Sequence, residues 1–96
     1  MNITISRQAT ASGGQYDATL DDGRHVGELT YRVSSPGVVN ANHTGVAPDM
    51  QGHGIAAKLV ERLIADARAD GFRIIPSCSY VAAQRRRHPD WEALFV

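Results

Sequence analysis

The amino-acid sequence predicts an α+β (mixed α/β) domain of order β-β-β-β-α-β-α, with several antiparallel strands ahead of one β-α-β crossover. Three observations carry this. Short runs of β-branched and aromatic residues, separated by turn residues, fill the first half of the chain. Apolar residues at helical spacing then run from Ile55 to Ala67. A four-residue apolar run, Phe72 to Ile75, follows between Gly71 and Pro76; it is too short for a helix and is placed to pair in parallel after a crossover.

Taken in order, residues 2–5 alternate as a short strand, and Gly13-Gly14 reads as a turn within the small, polar stretch that follows. Tyr16 to Leu20 forms the second strand, and Asp21-Asp22-Gly23 is a tight hairpin turn. The third strand runs from His25 to Val33, with Gly27 marking a bulge or the close approach of a neighbour. After the turn Ser34-Ser35-Pro36-Gly37, the fourth strand spans Val38 to Val46 and stops before Pro48. A helix is expected from Gly52 to Asp70, its stripe of Leu59, Val60, Leu63 and Ile64 facing a core and Gly71 closing its C-terminus. Beyond Pro76, Tyr80 to His88 is helical, and Asp90 to Phe95 is a last turn docking by Trp91, Leu94 and Phe95.

With 96 residues the chain has room for one core, so residues 1–96 read as a single domain. Ten basic and ten acidic residues cancel, so no overall field favours nucleic acid or an anionic membrane. Nucleic acid is not an expected partner, and any anion site must be local. One cysteine excludes an internal disulfide framework and fits a reducing compartment. No apolar run reaches the ~20 residues that cross a bilayer, and the N-terminus lacks a signal-peptide core. The expectation is a cytoplasmic protein, monomeric or weakly homodimeric.

The chemistry concentrates at Gln51-Gly52-His53-Gly54-Ile55-Ala56, where glycines uncover the backbone as a helix begins. A helix start offers N–H groups without internal partners and a partial positive charge, so bare glycines there admit an anion. A P-loop would need Lys and Ser/Thr after Gly54, and the chain has Ile55 and Ala56. A dinucleotide fingerprint would need a third glycine. Four histidines at 25, 43, 53 and 88 have no ligand spacing, so no metal site is expected.

Gln51, Gly54 and Ala56 match the pattern Gln/Arg-x-x-Gly-x-Gly/Ala, which resembles the pyrophosphate loop of the GNAT superfamily of acyl-CoA-dependent N-acyltransferases. Three further stretches extend the match: His43-Thr44-Gly45-Val46 before the loop, Pro76-Ser77-Cys78 after the helix, and Arg86-Arg87-His88-Pro89 near the end. Together with Gly54-Ile55-Ala56 they resemble a minimal GNAT-like subfamily of about a hundred residues, over residues 16 to 95. The element order is that of a GNAT core without its usual first two helices.

The resemblance implies an N-acetyltransferase using acetyl-CoA and an amine acceptor. It assigns Thr44, Val46 and Ala47 to the pantetheine arm, with Val46 or Ala47 giving an N–H to the thioester carbonyl. Gln51, Gly52, His53, Gly54, Ile55 and Ala56 go to the phosphates. No Glu occupies the strand before the loop, the usual place of the base, and His43 is the substitute; strand alternation leaves its facing open. Cys78 is either an acetyl-accepting thiolate, activated by a helix N-terminus or by His43, or a small buried residue. Tyr80 is either the proton donor to the leaving thiolate or a packed aromatic. The Arg85-Arg86-Arg87 run is a solvated helix face, or it binds an acidic partner or supplies Arg86 to the 3′-phosphate. The missing helices and missing Glu keep a second reading open, a degenerate member that holds CoA or acetyl-CoA with little or no transfer.

Overall fold

The computed structural model describes residues 2–96; Met1, the first residue of the expected domain, lies outside them. Five strands form one sheet in chain order: β1 (Ile3–Ala9), β2 (Gly13–Leu20), β3 (His25–Ser35), β4 (Val38–Val46) and β5 (Arg73–Pro76). β1 to β4 are antiparallel neighbours, and β5 pairs in parallel with β4. A short 3-10 helix, Pro48–Met50, leads to helix α1 (Ile55–Asp70), and α2 (Ser79–Arg87) and a 3-10 helix (Pro89–Leu94) complete the chain. The predicted order holds, with the last helical turn drawn as 3-10.

Residues on one face of the sheet, Tyr16, Ala18, Leu29, Tyr31, Val39, Ala41 and Ile74, are buried with the α1 stripe of Ile55, Leu59, Val60, Leu63, Ile64 and Ala67. Each large apolar side chain so buried contributes on the order of 1.5–3 kcal/mol against its exposed state. Alternation turns Gln15, Asp17, Glu28, Thr30, Arg32 and His43 to the opposite, polar face. Gly27 marks a close approach, as expected: a Cβ there would lie 3.0 Å from Ile55 Cγ2. Trp91 and Phe95 are buried and Leu94 partly so, which docks the C-terminal turn.

Two expectations are corrected. Gly13 and Gly14 belong to β2, and the turn is made one step earlier, where Thr10 N–H donates to Gly13 O at 2.7 Å. These glycines are needed for contact with β3, because a Cβ on Gly13 would lie 2.5 Å from Tyr31 O and one on Gly14 2.3 Å from the Tyr31 hydroxyl. Helix α1 starts at Ile55 and not at Gly52, since Gly52 and Gly54 have φ of 87° and 75°, which no right-handed helix admits.

β1 and β2 are tied to α1 by a polar cluster. Arg7 donates to the Tyr31 hydroxyl and to Asp66 and Asp70, and the Tyr16 hydroxyl donates to Asp66 at 2.8 Å. Burial pushes the Tyr16 phenol well above its ordinary range, and its bond to Asp66 pushes the same way. Burial opposes the Arg7 charge, but its bonds to Tyr31 and Asp70 outweigh that and keep it firmly protonated.

Candidate active site

β4 and β5 share only a short ladder. Val38 to Ala41 pair with Arg73 to Pro76, and Cys78 N–H donates to Ala41 O at 2.8 Å. Beyond that point β5 has ended while β4 continues to Val46, held on its other side by β3. Where the strands part, β4 carries an extra residue: Tyr31 pairs with Ala41 and Thr30 with His43, so Asn42 is bulged. The bulge resets the alternation, so that His43 and Gly45 face the polar side and Thr44 and Val46 the side of α1.

The gap past β5 is a cleft of ≈ 320 Å³ between the end of β4, the glycine loop and the first turns of the two helices. Its walls include Thr44, Val46, Gln51, Gly52, Gly54, Ile55, Ala56 and Tyr80, all singled out from sequence, and also Gly45, Met50 and Ala57. Gly54 is the N-cap of α1 and has no side chain to cap with, so the N–H groups of the first turn stay free and face a space no Cβ fills. Ala47 N–H donates to Val26 O at 2.9 Å and is therefore spent on β3. The N–H of Val46, one residue back, points the opposite way, into the cleft. Of the two expected donors, Ala47 N–H is used within the sheet and Val46 N–H is not.

His43 and Cys78 are not brought together. His43 is exposed on the polar face, with Nε2 3.0 Å from Glu28 Oε2. Cys78 is the N-cap residue of α2 on the other side of β4, its Sγ 3.4 Å from the Thr44 hydroxyl. Burial opposes ionisation of this thiol, but the Thr44 hydroxyl and the backbone N–H groups of Val81, Tyr80 and Thr44 outweigh it and lower the thiol below its ordinary value. Activation thus comes from the helix N-terminus and Thr44, and His43 has no part in it.

Tyr80 lines the cleft, and burial raises its phenol, with Arg87 acting in the opposite direction. The phenol is therefore protonated at neutral pH. Arg87, seven residues after Tyr80, shares its face of α2, whereas Arg86 is turned about 120° away. Arg87 is the cation whose charge acts on Tyr80, and neither it nor Arg86 is in the cleft wall. Arg85 is occupied by Glu92 and Val96 O. His53 is exposed in the loop and is not part of the cleft wall.

Sequence reading missed Glu28. The expected place for a carboxylate is the strand before the loop, and this one comes from the neighbouring strand, opposite Gly45. A Cβ on Gly45 would sit 2.2 Å from Glu28 Oε2 and 3.1 Å from His43 Nε2. A glycine between two polar strand residues was the available signal.

The glycine loop, the parting strands and the free helix start together line one cleft. A family model described as GCN5-related N-acetyl-transferase matches residues 15–94. The chain belongs to this GNAT family. A GCN5-like protein from Staphylococcus aureus, solved by NMR, superposes with a TM-score of 0.72 at 23% identity, over 95% of this chain and 87% of that one. A GNAT family acetyltransferase from Elizabethkingia anophelis, with acetyl-CoA bound, gives 0.65 at 18% identity over 76% of this chain and 63% of that one. An IAA acetyltransferase from Bacillus cereus gives 0.64 at 20% identity, over 76% and 63%. No curated protein sequence matches the chain. The fold is thus a GNAT acyltransferase fold. No helix of the described residues is long and apolar enough to cross a membrane.

Proposed function

We propose that this GNAT domain, residues 1–96 acting as one unit in the cytoplasm, transfers an acetyl group from acetyl-CoA to an amine. The observation that carries the reading is the cleft itself. One wall is a strand end with Val46 N–H unspent, and the floor is an uncapped helix start behind bare glycines. These suit an arm bearing amides and a pyrophosphate, respectively. The bound thioester supplies an activated acetyl group. Val46 N–H stabilises the negative charge that develops on its carbonyl oxygen. His43, held by Glu28, takes the proton of the attacking amine, and the Tyr80 phenol returns one to the departing thiolate. Gln51 to Ala56 hold the phosphates, and Arg87 adds a positive charge near Tyr80.

A second reading is favoured by the Cys78 thiol. Its lowered pKa and its place behind Thr44 suit a route in which the thiolate takes the acetyl group before the amine does. The sulfur–acetyl bond forms as the CoA sulfur leaves, and the amine then displaces Cys78. Against both stands a chain that binds acetyl-CoA and transfers nothing.

Thermal unfolding with acetyl-CoA, CoA and ATP tests the cleft. A ligand at ~100 times its Kd stabilises by about 2.7 kcal/mol, and the two CoA species should raise Tm while ATP does not. Amine-dependent release of CoA then tests transfer. No shift with either CoA species refutes the cleft assignment; a shift with turnover no faster than buffer selects the binding-only chain. Loss of CoA release in Cys78→Ala, with binding kept, selects the covalent route.

A further inference from the structure

Besides the cleft, the molecule has a basin of ≈ 400 Å³ on the polar face of the sheet, lined by Gln8, Thr10, Gln15, Thr30, Arg32 and Asn42 among others. Arg32 is the charged group in that lining. Arg7, Arg24, Arg62, Arg73 and Arg85 each hold a carboxylate or a backbone carbonyl. Arg32, which is exposed, holds neither among the described residues, as is also true of Arg68, Arg86 and Arg87, which lie outside the basin. It does not reach even its register neighbour Asn40, whose buried Oδ1 has no hydrogen bond.

The neighbours of Arg32 are partly satisfied by one another. Thr30 gives its hydroxyl proton to Asn42 Oδ1 at 2.6 Å, and the Asn42 amide N–H groups have no partner among the described residues. Gln15 donates its amide N–H to Asp17 at 2.7 Å, which leaves its carbonyl oxygen as an acceptor. Among the groups that remain in the lining are the Arg32 guanidinium fork and the Asn42 amide donors, the kinds of donor that bind a carboxylate in two-pronged fashion.

The charge reverses a short way along the same face. Asp17 and Glu28 are register partners there, with His25 Nε2 2.9 Å from Asp17 and His43 Nε2 3.0 Å from Glu28. Arg32 and Glu28 are four residues apart on one strand, so their Cα atoms are about 13 Å apart, with His43 between them opposite Thr30. Gly45 joins this face to the cleft: it is in the cleft wall, and Glu28 and His43 meet over it.

We propose that this face is the acceptor site, and that the acceptor is a zwitterion of short-peptide length. Its amine lies at Glu28 and His43, and its carboxylate on Arg32. The inference rests on the transferase reading above and adds the substrate class. An α-amino acid is too short to span the two ends, while a tripeptide or a long ω-amino acid is long enough.

The test titrates triglycine and triglycinamide separately onto the full chain and onto Arg32→Gln, following backbone amide resonances. Acetyl-CoA is titrated in parallel samples and read on Gln51 to Ala56. The expected result is that triglycine shifts the Thr30 and Asn42 amides and binds at least tenfold more tightly than triglycinamide. Arg32→Gln should abolish that preference and leave acetyl-CoA binding unchanged. With acetyl-CoA present, mass spectrometry should find N-acetylated triglycine. Equal binding of the two probes, no binding of either, a preference that survives Arg32→Gln, or binding without the acetylated product overturns the proposal. If acetyl-CoA leaves the loop resonances unmoved, the transferase reading itself fails, whatever the face does.

Discussion

Replacing Gly45 by alanine tests the proposed Glu28–His43 base apart from the fold. The new methyl would sit 2.2 Å from Glu28 Oε2, far inside van der Waals contact, and 3.1 Å from His43 Nε2. The backbone at Gly45 is not left-handed, so alanine is admitted without strain. What must give way is the end of the Glu28 side chain, which is flexible. Losing a half-exposed ion pair costs roughly 0–1 kcal/mol, and alanine in place of a strand glycine returns roughly 0.5–1 kcal/mol. Stability should therefore change by less than about 1 kcal/mol. Transfer should not be spared. A positioned base contributes about 10²–10⁴-fold, and losing its orientation while keeping the imidazole should remove one to two decades of kcat. The assay is CoA release with the best acceptor found, beside calorimetric binding of acetyl-CoA and a urea melt. A folded Gly45→Ala chain that binds acetyl-CoA and transfers at the wild-type rate would refute the Glu28–His43 assignment.

Other perturbations test separate parts. Gly54→Ala forces a side chain into φ of 75°, so it should cost about 1–2 kcal/mol and weaken acetyl-CoA binding, as read by melting and calorimetry. Asp66→Ala strips the Tyr16 hydroxyl and Arg7 of a shared acceptor and should cost on the order of 1–3 kcal/mol in a urea titration. The lowered Cys78 thiol should react with iodoacetamide at a pH below that of an ordinary thiol, since the thiolate fraction at any given pH is larger. Thr44→Val removes a bond to the thiolate and should move that profile to higher pH. Tyr80→Phe should lower kcat with little change in acetyl-CoA binding; an unchanged kcat would remove the phenol from the mechanism.

The parts of this fold that depend on local periodicity were legible in the sequence. The spacing of Leu59, Val60, Leu63 and Ile64 specifies one buried helical face, and Gly71, with φ of 78°, ends the helix as expected. The glycine loop was readable because an uncovered helix start has few residue types open to it. Misreadings arose where glycine serves a neighbour on another strand and not the turn it resembles. Gly13 and Gly14 look like a turn until Tyr31 is seen lying against them. The same is true of chemistry made across strands. Glu28 and His43 are fifteen residues apart and meet through the β3–β4 register. The facing of His43 turned on one bulged residue, Asn42, which no period-two reading reveals. Val46 and Ala47 differ as donors only through Val26, again on another strand.

The unpaired end of β4 is, in effect, an edge strand lying inside a sheet. Exposed edges invite other chains to add themselves, and proteins blunt them with bulges, prolines and twists. Here Asn42 supplies a bulge at one end of the exposed segment and Pro48 a stop beyond the other. An amide-bearing arm laid along Thr44 to Val46 would pair with that edge as a short added strand. Occupancy would then protect the chain from self-association as well as prepare it for transfer. During heating, the ligand-bound protein should stay clear of aggregates by light scattering to a higher temperature than the free one.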